Sequence, residues 1–266
     1  MKVRRRSKKK IVVKLGTNVL TGANGELDLQ VIESIADQVA ILKSIGVRVV
    51  MVSSGAVAAG KAVYTLQNVK SKVRQRQVYS SIGQAQLMNI YSAVFARHGI
   101  VCAQVLATKE DFLGLENYKN MKNCFTGLLK DDIIPIVNEN DVVSLTELMF
   151  TDNDELAGLT AHMINANKLV ILSTIDGVYK GDPDDPNVEI VRDVLPGENI
   201  KRLASKAKSS GGRGGMKTKI DIAMRAQEKG IETIIANGKS PRILLDIFDH
   251  KSVGTRFKAT HIKKEL

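Results

Sequence analysis

With 266 residues, of which 44% are hydrophobic and 25% charged, the chain has the composition of a globular protein and is long enough to bury a sizeable core. This composition excludes a disordered, collagen-like or disulfide-stapled chain. Aromatic residues make up only 4% and Trp is absent, which argues against a protein that binds single-stranded nucleic acid by base stacking.

The formal net charge of +11 is concentrated at one end of the chain. Seven positive charges lie in residues 1–10, MKVRRRSKKK, so the rest of the chain carries only +4. We predict that residues 1–10 form a basic, disordered arm. An arm that contacts phosphate or an acidic surface is the alternative.

Cysteines and apolar runs bear on the cellular compartment. Cys102 and Cys124 lie in hydrophobic stretches without a CxxC partner or a nearby His pair, and we interpret both as reduced core residues. No apolar run approaches the roughly 18 residues that span a bilayer, and no signal-type segment follows the basic start. The sequence therefore predicts a cytoplasmic protein.

Short β-branched runs alternate with amphipathic stretches along the chain. The runs predict six strands, which begin at residues 11, 47, 101, 133, 168 and 232. Apolar residues at helical spacing predict helices between the first two strands (Ile32, Ile35, Val39, Leu42), from Gln84 to His98 and from Glu155 to Ala166. Strands separated by helices form right-handed crossovers, so we predict an α/β fold, a three-layer αβα sandwich with a mainly parallel central sheet.

Gly and Pro are most frequent in the last third, at Asp182–Pro186 and Ser209–Gly215, which are predicted loops. We therefore place a soft boundary near residue 170. Residues 11–266 are predicted to form one domain, with an N-terminal lobe over 11–170 and a C-terminal lobe over 171–266.

Ligands bind at the carboxyl ends of strands in open parallel sheets, and this chain places polar residues there. Lys14 ends the first strand, where an ammonium group is costly to desolvate unless an anion meets it, and Gly16 lets the backbone approach that anion. A lysine that extends to solvent is the competing interpretation. Ser54 and Gly55 follow the second strand in a turn that opens a helix, whose free N–H groups favour a carboxylate or oxyanion.

Two polar loops, NEND at 138–141 and TDND at 151–154, bring together three Asn and four acidic residues. Each loop alone is compatible with Asx turns and a helix N-cap. Carboxylates can also accept hydrogen bonds from an ammonium group, and carboxamides both donate and accept. Together with Lys14, the loops indicate a site for a zwitterionic substrate beside a phosphate.

A glycine loop, Gly211–Lys219, resembles a P-loop but lacks the Walker spacing, because Met216 stands where a Gly is required. The loop could wrap polyphosphate, with Lys217 or Lys219 on the transferring group, or be a mobile surface loop. HExxH, GxSxG and strand-linked GxGxxG motifs are absent, and the four His are widely separated. Zinc-site, triad hydrolase and dehydrogenase interpretations therefore lose most of their support.

Seven segments together resemble the amino acid kinase family and cover nearly the whole chain: VVKLGTNVLTG at 12, VSSGAVAAG at 52, IGQAQLM at 82, PIVNENDVVS at 135, TDNDELA at 151, DGVYKGDP at 176 and GGMKTK at 214. The NEND and TDND pair is the discriminating feature, because VKLG and the glycine loop recur across the family's carbamate, acetylglutamate, aspartate and uridylate kinases. The resemblance is closest to members that act on L-glutamate. It implies transfer of the γ-phosphoryl group of Mg–ATP to the glutamate side-chain carboxylate, the first step toward proline.

Residue roles follow from the resemblance position by position. It implies catalytic roles for Lys14, Lys219 and Asp154, with Asp154 holding the two lysines. It implies that glutamate is bound by Ser54, Gly55, Asn138, Asp141, Asp152 and Asn153. It implies that ATP is bound by Lys14, Gly16, Ser173, Thr174, Arg213, Gly214, Gly215, Met216, Lys217, Thr218 and Lys219. Mg²⁺ is expected to be held mainly by the ATP phosphates, without a dedicated set of protein ligands.

The chain departs from the family pattern on the nucleotide side. Ser173-Thr174 stands where an Asp is common, and Arg213 and Lys217 stand where Thr and Ser are usual. The resemblance also implies feedback inhibition by proline and a homo-oligomer (dimer or tetramer). Many members carry a C-terminal PUA domain, and we expect this chain, which ends at Leu266, to be a short form without it. Membrane and nucleic-acid partners are not expected.

Two alternatives stay open. One is a sister kinase that phosphorylates another carboxylate or a phosphate. The other is a non-catalytic, nucleic-acid-binding or regulatory relative that uses the basic arm.

Overall fold

A computed structural model describes residues 8–67, 69–144, 150, 152–182, 185–202 and 215–260. Within these residues an eight-stranded sheet has the strand order β3-β4-β2-β1-β5-β9-β10-β8. Its strands are β1 (Lys10–Leu15), β2 (Arg48–Ser53), β3 (Cys102–Ala107), β4 (Ile134–Glu139), β5 (Lys168–Ser173), β8 (Asp193–Val194), β9 (Glu232–Asn237) and β10 (Thr255–Phe257). Strands β6 (Val178–Tyr179) and β7 (Ile190–Val191) form a separate antiparallel pair.

The six strands predicted from the sequence are all present within one or two residues of their expected starts, and they pair in parallel. The additional strands β6, β7, β8 and β10 are two or three residues long, too short to give a hydrophobic pattern. β10 runs antiparallel to β9 and makes the sheet mixed at that edge. The prediction of a mainly parallel sheet is therefore confirmed.

Helices connect the strands and cover both faces of the sheet. Their bounds are α1 (Thr17–Leu20), α2 (Leu29–Ser44), α3 (Ala56–Val63), α4 (Lys72–Ala96), α5 (Glu110–Leu113), α6 (Leu115–Lys130), α7 (Asn153–Met163), α8 (Met216–Glu228) and α9 (Ile243–Phe248). The sequence predicts α4 only from Gln84, but the helix begins twelve residues earlier, where the Ser71 side chain accepts a hydrogen bond from the Arg74 N–H. The first turns of α4 are polar, so hydrophobic periodicity does not reveal them.

Two hydrophobic cores lie on opposite faces of the sheet, as expected for an αβα sandwich. One core contains Val13 of β1 with residues of α2, α4 and α9, and the other contains Val12 with residues of α6, α7 and α8. Side chains alternate along a strand, so Lys14 projects to the same face as Val12. The ammonium group of Lys14 is therefore directed towards the layer that holds α7 and α8.

Helices α3 and α4 cross at very short range because each has a glycine at the crossing. A Cβ atom at Gly60 would overlap the backbone carbonyl oxygen of Tyr79, and one at Gly83 would overlap that of Ala56. Only glycine permits this approach of two backbones. The crossing places one face of α4 beside the carboxyl ends of β2 and β4.

The cysteine prediction is partly wrong. Both thiols are free, but Cys124 is exposed and Cys102 is half-buried. On α6 the buried residues are Phe125 and Leu129, which lie one turn apart, and Cys124 is displaced from that stripe by about 100° of helical rotation.

Within the described part of the chain, no helix is long and apolar enough to cross a membrane. Residues 1–7 of the predicted basic arm lie outside the described residues. The division into lobes at residue 170 stays a prediction.

Candidate active site

Two lysines that are far apart in sequence converge on one buried carboxylate. The Lys14 Nζ lies 2.6 Å from Asp154 Oδ1, and the Lys219 Nζ lies 3.0 Å from Asp154 Oδ2. The Asp154 side chain is fully buried, and the two lysine side chains are 7% and 9% exposed. We call these three residues the lysine centre.

Each member of the lysine centre is placed by its own element. Lys14 is the penultimate residue of β1, Asp154 lies in the first turn of α7, and Lys219 lies in the first turn of α8. Helices α7 and α8 pack closely, since a Cβ atom at Gly158 would lie 2.9 Å from the Ile222 side chain. This packing brings Lys219 over the carboxyl end of the sheet, where Lys14 emerges.

The electrostatics of the lysine centre favour an ionised carboxylate. Burial opposes the ionisation of Asp154, but the adjacent ammonium groups of Lys14 and Lys219 outweigh it and lower the pKa of this carboxyl below its ordinary value. Within the lysine centre two cations face one anion, and the carboxyl group of Asp152 lies close enough to feel the charges of both lysines. Two ammonium groups at one largely buried point attract a polyanionic ligand.

Asp152 caps α7, as the helix-cap interpretation of the TDND loop expects. Its Oδ1 accepts hydrogen bonds from the backbone N–H groups of Asp154 (2.8 Å) and Glu155 (3.2 Å). Its Oδ2 is buried and has no hydrogen-bond partner among the described residues. Burial and then the charge of Asp154 raise the pKa of Asp152 to about 6. A role of this second oxygen in ligand binding stays a prediction.

Four polar side chains form a second group, which we call the amide cluster: Ser54, Gln84, Asn138 and Asn153. The Asn153 Nδ2 donates to Ser54 Oγ and to Asn138 Oδ1, both at 2.9 Å, and the Asn138 Nδ2 donates to Gln84 Oε1 at 3.0 Å. The family resemblance predicts that Ser54, Asn138 and Asn153 lie in one site, and in the structure Asn153 contacts both of the other two.

The orientation of the amide cluster is fixed by the backbone. Asn138 Oδ1 accepts a hydrogen bond from the Glu139 N–H at 2.9 Å, so its Nδ2 must face Gln84. Gln84 must in turn present its Oε1 to Asn138. The Gln84 Nε2 is then left buried without a hydrogen-bond partner in the described ranges. A buried donor without a partner is costly, and a bound ligand can satisfy it.

A third group, the arginine clamp, joins α4 to the NEND loop. The Arg76 Nη2 lies 2.5 Å from Glu139 Oε2 and also forms an ion pair with Asp141. Sequence analysis assigns a ligand role to Asp141 but misses Arg76, because Arg76 lies in the polar first turns of α4. Burial, only partly opposed by Arg76, raises the pKa of Asp141 to about 6.

Two glycines, Gly16 and Gly55, lie beside the lysine centre and the amide cluster. Gly55 has φ +106°, a left-handed conformation that side chains rarely adopt, and it precedes α3. A Cβ atom at Gly16 would lie 3.3 Å from Lys14 Nζ. Glycine at residue 16 therefore leaves space beside the lysine ammonium group, as the sequence analysis expects for an approaching anion.

The residues predicted for the nucleotide lie along the neighbouring strand end and the start of α8. Ser173 ends β5 and is half-buried, whereas Thr174 is exposed. Gly215 precedes α8, Met216 and Thr218 are half-buried in its first turn, and Lys217 is exposed. Arg213 and Gly214 lie outside the described residues. The nucleotide contacts of these residues stay predictions.

Metal-binding clusters are absent from the part of the chain that the structure describes, which contains no group of three His, Cys, Asp or Glu side chains suited to hold an ion. The carboxylate of Asp154 is engaged by two ammonium groups. The expected binding of Mg²⁺ through the ATP phosphates stays a prediction.

Comparison with known proteins points to one family. Residues 9–237 match the amino acid kinase family. A glutamate 5-kinase of Bacteroides thetaiotaomicron is 47% identical over 93% of this chain and 69% of its own length. The glutamate 5-kinase of Chlorobaculum tepidum is 45% identical over 96% and 71%, and that of Clostridium perfringens is 41% identical over 94% and 96%.

Solved structures show the same fold at low sequence identity. Carbamate kinase from Giardia lamblia, solved with AMP-PNP bound, superposes with a TM-score of 0.67 over 96% of this chain and 99% of that chain, at 19% identity. UMP kinase from Bacillus anthracis gives a TM-score of 0.64 over 95% and 97%, at 14% identity. These likenesses confirm the αβα sandwich.

Proposed function

The chain belongs to the amino acid kinase family and, within it, to the glutamate 5-kinases, and we propose that it transfers the γ-phosphoryl group of ATP to the side-chain carboxylate of L-glutamate. The family resemblance stated from the sequence is thereby confirmed. The product is γ-glutamyl phosphate, which enters proline biosynthesis.

The observation that carries the proposal is the convergence of Lys14 and Lys219 on Asp154. Phosphoryl transfer places negative charge on three equatorial oxygens and asks the protein mainly for alignment and charge stabilisation. Two buried ammonium groups, held by a carboxylate that spaces them, supply that stabilisation before the substrate arrives. We assign Lys14 and Lys219 to the transferring phosphoryl group and Asp154 to their orientation.

The reaction needs no general base. An oxygen of the glutamate side-chain carboxylate, already ionised at pH 7, forms a bond to the γ-phosphorus, and the bond from this phosphorus to the β–γ bridging oxygen breaks. ADP leaves with the electron pair of that bond. Each lysine holds its proton throughout, so the centre works by charge rather than by proton transfer.

The amide cluster and the NEND loop are assigned to glutamate. Among the described residues, Gln84 Nε2 and Asp152 Oδ2 have no hydrogen-bond partner, which fits a ligand that supplies both an acceptor and a donor. We assign the substrate carboxylates to amide donors and to the N–H groups at the start of α3, after Ser54 and Gly55, and the ammonium group to Asp141. These contacts hold glutamate so that its side-chain carboxylate oxygen, the nucleophile, lies next to the γ-phosphorus of ATP.

ATP is assigned to the side of the lysine centre formed by the end of β5 and the start of α8. The predicted contacts of Gly16, Ser173, Thr174 and residues 213–219 stay proposals. Mg²⁺ enters as part of the Mg–ATP substrate and neutralises phosphate charge there. A homo-oligomer, inhibition by proline and a cytoplasmic location likewise stay predictions.

The test is a coupled ADP-release assay with L-glutamate, acetylglutamate, aspartate and UMP as separate acceptors. We expect only glutamate to stimulate turnover, and γ-glutamyl phosphate should be trapped as its hydroxamate. Turnover with another acceptor would instead assign the chain to a sister activity. An inactive protein with salt-sensitive nucleic-acid binding, lost on deletion of residues 1–10, would support the non-catalytic alternative.

A further inference from the structure

Helix α4 contributes a cation to the acceptor side of the site. Arg76 bridges Glu139, the last residue of β4, and Asp141, two residues later. Its side chain is 18% exposed, while those of Glu139 and Asp141 are 3% and 7% exposed. Two carboxylates thus share a buried location with one guanidinium group between them.

The two carboxylates of the arginine clamp differ in the contacts that they make apart from Arg76. Glu139 has a second structural contact, since its Oε1 accepts a hydrogen bond from the backbone N–H of Phe150 at 3.1 Å. Among the described residues, the buried Oδ1 of Asp141 has no hydrogen-bond partner and forms only the ion pair with Arg76. Asp141 follows Asn138 of the amide cluster by three residues. Helix α4 also holds this loop through Gln77, whose Nε2 donates to the Val142 carbonyl at 2.9 Å.

Charge balance in the clamp explains why an arginine is needed. Two ionised carboxylates and one guanidinium carry a net charge of −1, which suits one additional cation. Without the guanidinium, two buried negative charges would repel each other, and one would take up a proton. A protonated carboxyl attracts an ammonium group far less strongly than a carboxylate does.

We propose that Arg76 is a positioning residue that keeps Asp141 ionised and oriented for the substrate ammonium group, and thereby sets the preference for an amino acid over a dicarboxylate without that group. The inference rests on the proposed function, because it takes glutamate as the acceptor. The inference means that Arg76, which lies outside the NEND and TDND motifs, contributes to the substrate specificity of the site.

The titration of Asp141 agrees with this role. Burial raises its pKa most, the charge of Arg76 lowers it, and the charge of Glu139 raises it. These opposing effects leave the pKa at about 6, so Asp141 is mostly ionised at neutral pH. Loss of Arg76 removes the lowering contribution, and Asp141 then becomes protonated at a higher pH.

The test compares Arg76→Gln and Arg76→Lys with the native chain, and Arg74→Gln serves as the matched control, since Arg74 is an exposed arginine on the same helix. For each protein, kcat and KM for glutamate and the inhibition constant of glutarate, which lacks the ammonium group, are measured from pH 5.5 to 8.5. Thermal melting establishes that each variant is folded.

We expect Arg76→Gln to raise the glutamate KM about 10- to 100-fold at pH 7, the loss typical of a charge-assisted contact, with little change in kcat at saturation. Glutarate binding should change less than threefold, so the preference for glutamate collapses. The acid limb of kcat/KM for glutamate should move to higher pH. Arg76→Lys should restore most of the preference, and Arg74→Gln should behave like the native chain.

Equal weakening of glutamate and glutarate, without a shift of the acid limb, would show that Arg76 only supports the loop and would overturn the proposal. Native kinetics in Arg76→Gln would overturn it as well. Both results leave the proposed function intact as long as the native chain phosphorylates glutamate. A native chain that does not turn over glutamate contradicts the proposed function and this inference together.

Discussion

The lysine centre and the amide cluster differ in how far their polar atoms are satisfied within the protein. Both oxygens of Asp154 face an ammonium group, so the lysine centre is assembled before any substrate binds. The amide cluster, in contrast, leaves Gln84 Nε2 without a partner among the described residues. The difference indicates a preorganised phosphoryl-transfer centre beside an acceptor pocket that is completed by its ligand.

The largest effect should come from breaking the lysine centre. We expect Lys14→Met or Lys219→Met to lower kcat about 1,000-fold, because each ammonium group stabilises charge that develops on the phosphoryl oxygens. Steady-state kinetics with Mg–ATP and glutamate provide the measurement. Lys229→Met, at an exposed position after the end of α8, is the control and should retain native kcat. A native kcat in Lys14→Met would contradict the assigned role.

A smaller effect is expected from the glycine crossing that supports the amide cluster. Gly60→Ala should lower the free energy of unfolding by about 3 kcal/mol, since its methyl group would overlap the Tyr79 carbonyl. Thermal or urea unfolding measures this loss. Gly127→Ala on α6 is the control, because a Cβ atom there has nothing within 4 Å, and it should stabilise the protein by up to about 1 kcal/mol. Equal stability of the two variants would show that α3 and α4 can separate.

The amide cluster should affect glutamate binding more than ATP binding. Asn153→Ala removes the donor to Ser54 and Asn138, and we expect it to raise the glutamate KM roughly 10-fold while the ATP KM stays within about twofold. Initial-rate kinetics with each substrate varied in turn give both constants. Asn123→Ala, at an exposed position of α6, should leave both unchanged. A rise confined to the ATP KM would place Asn153 on the nucleotide side.

The smallest effect concerns the pH dependence of stability. Burial is the largest cause that raises the pKa of Asp141 and Asp152 from an ordinary 3.8 to about 6. The folded chain therefore binds more protons than the unfolded chain between these values, and the stability so gained is lost as pH rises through 6. From pH 5 to 7.5 we expect a loss of about 1 kcal/mol per carboxyl.

Melting temperatures at pH 5 and 7.5 measure this trend, and the double variant Asp141→Asn with Asp152→Asn should flatten it. Asp154 does not contribute to the pH dependence of stability in this range, because its pKa lies below the ordinary value. The activity, unlike the stability, should decrease toward pH 5, because Asp141 becomes protonated there. Melting that is independent of pH in the native chain would show that neither carboxyl is perturbed.

Much of the fold and part of the site are predictable from the sequence. The strand runs are β-branched and buried on both faces, so their positions follow from composition and alternation. Lys14 and Asp154 stand at the ends of such elements, where a parallel sheet collects ligand groups. The glycine loop alone leaves Lys217 and Lys219 as alternatives, and the choice of Lys219 required the family resemblance, because the order of residues does not bring α8 to β1.

The parts that sequence reasoning missed depend on tertiary contacts. Arg76 and Gln84 contact partners more than 50 residues away in the sequence. Gln84 lies in the IGQAQLM segment that carries the family resemblance, but the segment indicates no role for this side chain, and Arg76 lies outside every segment of that resemblance. The polar first turns of α4 are held by the Ser71 cap and by the ion pairs of Arg76 rather than by an apolar stripe. The apolar neighbours of Cys124 predict a core position, but a helix buries only one stripe of such a segment.

The close crossing of α3 and α4 also constrains how the acceptor pocket can change its width. Because the two backbones touch at Gly60 and Gly83, the turn at Ser54 and the polar face of α4 form one stiff wall. Sliding between them would press the carbonyl groups of Tyr79 and Ala56 into the backbone of the facing helix. A substrate should therefore enter without changing the distance between these two helices, and hydrogen exchange is expected to be slower at the crossing than in the exposed first turn of α4.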